Sequence, residues 1–254
     1  MKIGVCTELR NIKQAEEACC DYIEANFTTC ACMTEDEFAT VMMTTKGRSI
    51  PIYAMNCLIP GYYRLTGKKA FLDGVVEYIE KGMIRTNQLG VQYIVFGSGD
   101  ARRVPKVFDM NNAYIQLSKF LKLIAPIARK YGIKLAIEPL CAKECNIVGS
   151  ITEGIMLAKM SEQPNVGVLA DLYHMFQEGE NINQILSAQG MLMHCHISYP
   201  VKRTFPKKSD GYDYSEFFYA LSKIHYNGGI SIEALSDDFE NELKEAVNVL
   251  REYL

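Results

Sequence analysis

The segment Ala170-Asp171-Leu172-Tyr173-His174 begins with the last residue of an apolar run, residues 165–170, and continues directly with an acid. Three other apolar runs carry an acid or an imidazole at or near their last residue. Those side chains are Glu138, His196 and Glu233. Parallel strands that lie side by side end at the same edge of a sheet. The pattern therefore predicts that these four side chains meet at one point.

Short apolar runs alternate with helical patterns along the whole chain. Continuous apolar runs of this kind are typical of a parallel sheet that is covered on both faces. Helical patterns separate the runs, among them a long helix expected over residues 68–89 and a capping-box sequence at Thr34-Glu35-Asp36-Glu37. The eight expected strands are residues 2–6, 22–26, 50–56, 91–96, 133–138, 165–170, 191–196 and 230–233. Eight such units in 254 residues predict an α/β fold, a single-domain (β/α)8 TIM barrel over residues 1–254.

The composition argues against several classes of protein. The net charge of −3 gives no electrostatic reason to expect a nucleic acid or an anionic membrane. No apolar run approaches the roughly 20 residues of a membrane-spanning helix, and residues 1–6 enter a strand pattern directly, without a signal-peptide layout. The nine cysteines, an odd number without zinc-site spacing, predict reduced thiols in a cytoplasmic protein.

Each of the four residues has an ordinary explanation when it is taken alone. Asp171 could cap a helix, His196 could be a satisfied core histidine, and the two glutamates could form salt bridges. Burying three carboxylates together without a cation is unfavourable, because like charges repel in a low-dielectric interior and lose their solvation. A divalent metal removes that objection. An oxygen-rich set with one imidazole favours Mn²⁺ or Mg²⁺, with Co²⁺ and Zn²⁺ as alternatives.

The order of several short motifs resembles a known family. These motifs are Phe96-Gly97-Ser98-Gly99-Asp100-Ala101-Arg102, Glu138-Pro139-Leu140, Asp171-Leu172-Tyr173-His174, His194-Cys195-His196 and Glu233. Over most of its length the chain is similar to the xylose isomerase-like TIM-barrel superfamily, especially sugar epimerases of the D-tagatose 3-epimerase and D-psicose 3-epimerase type. The resemblance implies a metal held by the four residues named above. It also implies that Glu138 and Glu233 exchange the proton.

Further matches concern the substrate. The resemblance implies that Glu144, His174 and either Lys202 or Arg203 bind a small sugar. Two departures leave the identity of that sugar open, because Cys141 replaces a common asparagine and Tyr199 stands where an acid is frequent. The family also implies association into dimers or tetramers.

The chemistry expected of such a site is proton transfer at a carbon next to a carbonyl. A metal bound to the substrate oxygens would stabilise the enediolate that forms, and two glutamates would act as base and acid. Return of the proton to the opposite face gives epimerisation, whereas return to the neighbouring carbon gives isomerisation.

Three alternatives use the same fold. A lyase resembling inosose dehydratase would begin with the same proton abstraction and then lose hydroxide. A hydrolase resembling endonuclease IV would need a trinuclear zinc site rich in histidine and a basic surface, and the four histidines and acidic net charge argue against it. A sugar-binding barrel without catalysis would have no chemical need for the four potential ligands.

Overall fold

The computed structural model describes residues 1–72 and 74–254. Within these ranges, eight parallel strands close into a barrel, each pairing with its neighbours in sequence, and the last pairing with the first. The strands are β1 (Lys2–Cys6), β2 (Tyr22–Asn26), β3 (Ile52–Asn56), β4 (Tyr93–Phe96), β5 (Lys134–Ile137), β6 (Val166–Asp171), β7 (Leu192–Ile197) and β8 (Gly229–Ile232). The predicted TIM barrel is confirmed.

Helices follow the strands and cover the outside of the barrel. They are α1 (Ile12–Glu17), α2 (Phe27–Cys32), α3 (Glu35–Thr45), α4 (Val75–Gln88), α5 (Gly99–Arg102), α6 (Met110–Lys130), α7 (Ile151–Ser161), α8 (Leu172–Gln177), α9 (Ser215–Lys223) and α10 (Phe239–Arg251). Short 3₁₀ helices lie at Leu9–Asn11, Ile182–Ala188 and Lys208–Asp210. The capping box at Thr34 is present, because its side chain accepts from the amide of Glu37 while the Glu37 carboxylate accepts from the amide of Thr34.

One expected helix is shorter than its pattern. The helix predicted over residues 68–89 begins only at Val75, because Gly74, inside the expected range, has φ +76°. This left-handed conformation cannot continue a right-handed helix. Asp73, which falls inside the expected helix, lies outside the described residues. Expected strand ends differ from the observed ones by at most two residues.

The amino-terminal end of the barrel interior is filled by aromatic rings. The ring of Tyr53 lies between those of Tyr22 and Tyr93, with centroid distances of 4.9 and 5.2 Å. Gly4 pairs in register with Tyr22, and a Cβ at Gly4 would overlap the tyrosine ring. This end of the barrel is therefore a packed core, which leaves the carboxyl ends of the strands as the place for a polar site.

Arg102 ties together the carboxyl ends of β4 and β5. Its side chain is fully buried, and its guanidinium donates to the carbonyl oxygens of Phe96 at 3.0 Å and Glu138 at 2.6 Å. The Phe96 carbonyl also accepts from the amide of Glu138 at 3.2 Å, so Arg102 adds a second, charged donor there and supplies a charged donor to the carbonyl of Glu138.

Two further observations bear on the predicted environment of the protein. No helix in residues 1–72 or 74–254 combines the length and apolarity needed to cross a bilayer. All nine cysteines, each of them among the described residues, carry free thiols.

We predict that Arg102→Met lowers the free energy of unfolding by about 1–3 kcal/mol, because two buried carbonyls lose a charged donor. Urea denaturation followed by circular dichroism measures this change. Lys106→Met, at an exposed site on the same segment, is the control and should leave the midpoint unchanged. An equal midpoint for both variants would contradict the role given to Arg102.

Candidate metal centre

The four side chains singled out in the sequence converge at the carboxyl end of the barrel. Glu138 follows β5, Asp171 ends β6, His196 lies near the end of β7, and Glu233 follows β8. One ligating atom of each lies within 4.8 Å of the corresponding atom of every other. The Nδ1 atom of His196 is 3.0 Å from Glu138 Oε1 and 3.3 Å from Glu233 Oε2. The predicted convergence is confirmed.

Strand register produces this convergence. Asp171 pairs directly with His196, and Ile197 pairs with Ile232, the residue before Glu233. The last residues of β6, β7 and β8 therefore lie at the same level along the barrel axis. Side chains more than 20 residues apart in the chain become immediate neighbours.

Asp171 uses its two oxygens differently. Oδ1 accepts a hydrogen bond from the amide of Tyr173 at 2.7 Å and caps α8, so the ordinary explanation of this residue is correct for one oxygen. Oδ2 is buried and has no hydrogen-bond partner among the described residues. Burial raises the pKa of Asp171 to about 6, and the charges of Glu233 and Glu138 add to the rise while His174 opposes it. A cation at Oδ2 would offset both the loss of solvation and the repulsion from the neighbouring carboxylates.

Glu233 has a different electrostatic environment. Its Oε2 accepts from Arg203 Nη2 at 2.8 Å, and the other end of that guanidinium lies 2.5 Å from Glu144 Oε1. Burial alone would raise the pKa of Glu233, but His196 and Arg203 outweigh it and lower the pKa to about 2. Glu233 is therefore ionised at neutral pH and can accept a proton or hold a cation.

The residues expected to bind substrate do not all lie at this site. Glu144 is half-buried, and Arg203 lies with its guanidinium 4.7 Å over the ring of Tyr173. Lys202 is exposed, whereas Arg203 is partly buried and forms salt bridges with Glu233 and Glu144. Arg203, rather than Lys202, places its charge at the barrel mouth.

The hydrogen bond that His174 accepts determines that its Nε2 atom faces the carboxylate cluster. Its Nδ1 accepts from the amide of Cys141 at 3.2 Å, so a neutral imidazole carries its proton on Nε2. That Nε2 is buried, 3.6 Å from Asp171 Oδ2 and 3.9 Å from Glu144 Oε2. The N–H group is thus directed between two carboxylates, where a hydroxyl or carbonyl oxygen could accept it.

Gly97 makes room for the carboxylate of Glu138. A Cβ at position 97 would overlap Glu138 Oε2. The glycine at position 97 therefore has a steric reason. Any side chain there would displace the Glu138 carboxylate from the cluster.

Sequence reasoning missed Glu24, which lies in the middle of β2. Its side chain is fully buried, with Oε1 at 3.0 Å from His196 Nε2 and Oε2 at 2.7 Å from His194 Nε2. An acid inside an apolar strand, two residues after Tyr22 and hence on the same face, was the available signal. His194, two residues before His196 and on the same strand face, contacts Glu24 and Ser231 and so belongs to the buried network below the cluster.

The donor set fits a divalent cation. It offers carboxylate oxygens from three strand ends, one imidazole nitrogen, and a buried aspartate oxygen without a partner in the described ranges. Such a mixture of oxygen and nitrogen ligands suits several divalent ions and identifies none of them.

Comparison with known proteins places the chain in a family. Residues 12–253 match the family described as xylose isomerase-like TIM barrel. The chain belongs to the xylose isomerase-like TIM barrel family. A probable ketose 3-epimerase of Synechocystis sp. is 29% identical over 138 residues, which cover 54% of this chain and 46% of that protein. This alignment therefore spans about half the length of the relative.

Two other proteins align with this chain over more of their length. An inosose isomerase of Bacillus velezensis is 24% identical over 254 residues, covering 91% of this chain and 86% of that protein. A crystal structure of D-psicose 3-epimerase in the presence of D-fructose superposes with a TM-score of 0.87. It covers 99% of this chain and 98% of that chain at 21% identity. At that identity the superposition establishes a shared fold.

We predict that Gly97→Ala lowers the affinity for Mn²⁺ about tenfold or more, because the new methyl group displaces the Glu138 carboxylate. Isothermal titration calorimetry measures the affinity. Gly149→Ala is the matched control, since a Cβ there would make only ordinary contact, at 3.7 Å from the Leu140 carbonyl oxygen. Unchanged affinity in Gly97→Ala would contradict the steric argument.

We also predict that Mn²⁺ affinity falls at least about tenfold between pH 7 and pH 5. The pKa of Asp171 is raised to about 6, so the metal must displace a proton below that pH and not above it. Calorimetry in buffers with different ionisation enthalpies should detect additional proton release at pH 5. An affinity that is constant across this range would be incompatible with Asp171 as a ligand.

Proposed function

We propose that the protein is a metal-dependent epimerase or isomerase that moves a proton at the carbon next to the carbonyl of a ketose. The observation that carries this proposal is the meeting of Glu138 and Glu233 at the same imidazole nitrogen, beside a buried Asp171 oxygen that has no hydrogen-bond partner within residues 1–72 and 74–254. The relatives named as a ketose 3-epimerase and an inosose isomerase support it, because both names describe rearrangement of a polyhydroxy ketone.

Two glutamates that enter from separate strands suit a two-base mechanism. Glu138 follows β5 and Glu233 follows β8, so they reach the centre from positions three strands apart around the barrel. In the proposed reaction one glutamate removes the proton and the other returns a proton to the opposite face. When bound, a divalent cation supplies positive charge to the carbonyl oxygen of the substrate. Asp171 and His196 are assigned only to holding that cation.

The remaining polar groups are assigned to the substrate hydroxyls. His174 offers an N–H, Arg203 offers guanidinium donors, and Glu144 offers carboxylate acceptors around the same space. Arg203 is preferred to Lys202 because the lysine side chain is exposed. Arg203 also connects Glu144 with Glu233, so it can couple the binding of a hydroxyl to the position of one of the two glutamates proposed to transfer the proton.

A cyclic polyol ketone is the second candidate substrate. The inosose isomerase alignment covers 86% of that protein, far more than the alignment with the ketose 3-epimerase. Removal of the same kind of proton followed by loss of hydroxide would make the protein a lyase resembling inosose dehydratase. The distribution of histidines argues against the endonuclease IV-like alternative, because His225 is exposed and His194 lies in the buried network below the site.

The proposal extends to the metal ion, the cellular location and the oligomeric state. We assign Mn²⁺ or Mg²⁺ as the preferred ion on the oxygen-rich ligand set. The nine free cysteines support a cytoplasmic location, and the net charge of −3 supports a small-molecule substrate over a nucleic acid. Dimers or tetramers are expected from the family.

We predict that the Mn²⁺-loaded protein exchanges a carbon-bound proton of a ketose with deuterated water, and that Glu233→Gln slows this exchange at least about 100-fold. Proton NMR of ketohexoses, ketopentoses and inososes incubated with the protein measures the exchange. Glu240→Gln makes the same change of charge on an exposed part of α10 and should retain full activity.

The outcomes separate the candidate functions. Exchange that leads to an epimer supports the epimerase, and exchange accompanied by a dehydrated product supports the lyase. Cleavage of abasic DNA without exchange into any ketone would favour the hydrolase. A protein that binds Mn²⁺ and exchanges no proton with any member of the panel would overturn the proposal of catalysis.

A further inference from the structure

Glu24 lies directly beneath the candidate metal centre, in contact with the back of His196. Its Oε1 is 3.0 Å from His196 Nε2, while His196 Nδ1 is directed to Glu138 and Glu233 on the other side of the ring. Both Glu24 and His196 are fully inaccessible to solvent. The imidazole is therefore held between a buried carboxylate below and the ligand cluster above.

The hydrogen bonds around Glu24 determine where the protons lie. An ionised carboxylate only accepts, so the groups that face Glu24 must donate to it. Ser231 donates its hydroxyl to Oε2 at 2.6 Å, and His194 Nε2 donates to the same oxygen at 2.7 Å. Because the single proton of Ser231 is used in this way, Ser231 accepts from the hydroxyl of Tyr22 at 2.9 Å. These bonds hold the carboxylate in one orientation.

The other neighbour of His196 Nε2 is a weaker partner. Cys6 Sγ is 4.0 Å from this nitrogen, at the outer limit of a hydrogen bond to sulfur, whereas the Glu24 oxygen is 1.0 Å closer. A thiol is also a poor acceptor beside a carboxylate. Glu24 is therefore the group that determines which ring nitrogen of His196 carries the proton.

We infer that Glu24 is a positioning residue that keeps the proton of His196 on Nε2 and directs the Nδ1 lone pair to the metal. A carboxylate behind a ligating histidine fixes the orientation of its ring and raises its basicity. The inference rests on the proposed function, and it adds to that proposal a residue from β2, a strand that contributes none of the four ligands.

Nitrogen NMR of histidine tests the inference in the unaltered protein loaded with Zn²⁺, which is diamagnetic. The chain has four histidines, so each ring can be assigned separately. We expect His196 to bind the metal through Nδ1 and to carry a strongly deshielded proton on Nε2. Coordination through Nε2, or an Nε2 proton without this deshielding, would overturn the inference without any variant.

Metal affinity provides the second test. Glu24→Gln keeps the size and shape of the side chain but removes its charge, and we expect it to weaken Zn²⁺ binding 10- to 100-fold, as is usual for the partner of a ligating histidine. The same variant should move the His196 Nε2 proton resonance upfield, which a merely structural role would not require. Ser231→Ala is the matched control, because it removes one donor to Glu24 and keeps the carboxylate against His196.

The results distinguish failure of this inference from failure of the proposed function. If the wild-type protein binds Zn²⁺ and Glu24→Gln binds it equally well, Glu24 has no positioning role while the metal centre stands. If Ser231→Ala weakens binding as much as Glu24→Gln, the effect belongs to the whole buried network and the assignment to Glu24 is wrong. If the wild-type protein does not bind Zn²⁺, both proposals fail together.

Discussion

Mutual repulsion of buried carboxylates is the constraint on which the architecture of this site depends. Glu138, Asp171 and Glu233 are brought together at the mouth of the barrel, and Glu24 lies just below them. Like charges in a low-dielectric interior are tolerated only where cations, donors or a metal compensate them. The imidazole of His196 lies at the centre of this group, with acids in contact with both of its nitrogens.

The side chains inside the barrel form three layers that differ in chemical character. Tyrosine rings close the amino-terminal end, and the network of Glu24, His194 and Ser231 lies above them. The carboxylate cluster lies at the carboxyl ends of the strands. Because each layer packs on the one below, the four side chains of the cluster lie on a packed and hydrogen-bonded base. A site held in this way can keep its geometry before any ligand arrives.

Several residues contribute to folding and to the site through different atoms. One oxygen of Asp171 caps α8 while the other faces the cluster, and the guanidinium of Arg102 joins two strand ends by bonding the backbone of Glu138. The steric space left by Gly97 serves the same carboxylate. Loss of such a residue would therefore disturb both the stability of the fold and the geometry of the cluster.

The amino-acid sequence by itself determined the alternation of strands and helices, the barrel, and the three acids and one imidazole at its mouth. These follow from local patterns, since apolar runs define strands and the ends of parallel strands meet. Only the tertiary structure decided that Glu24 contacts His196, that Arg203 rather than Lys202 contacts Glu233, and that one oxygen of Asp171 caps α8 while the other faces the cluster. Those facts depend on register and on side-chain direction across strands far apart in the chain, and no local pattern records them.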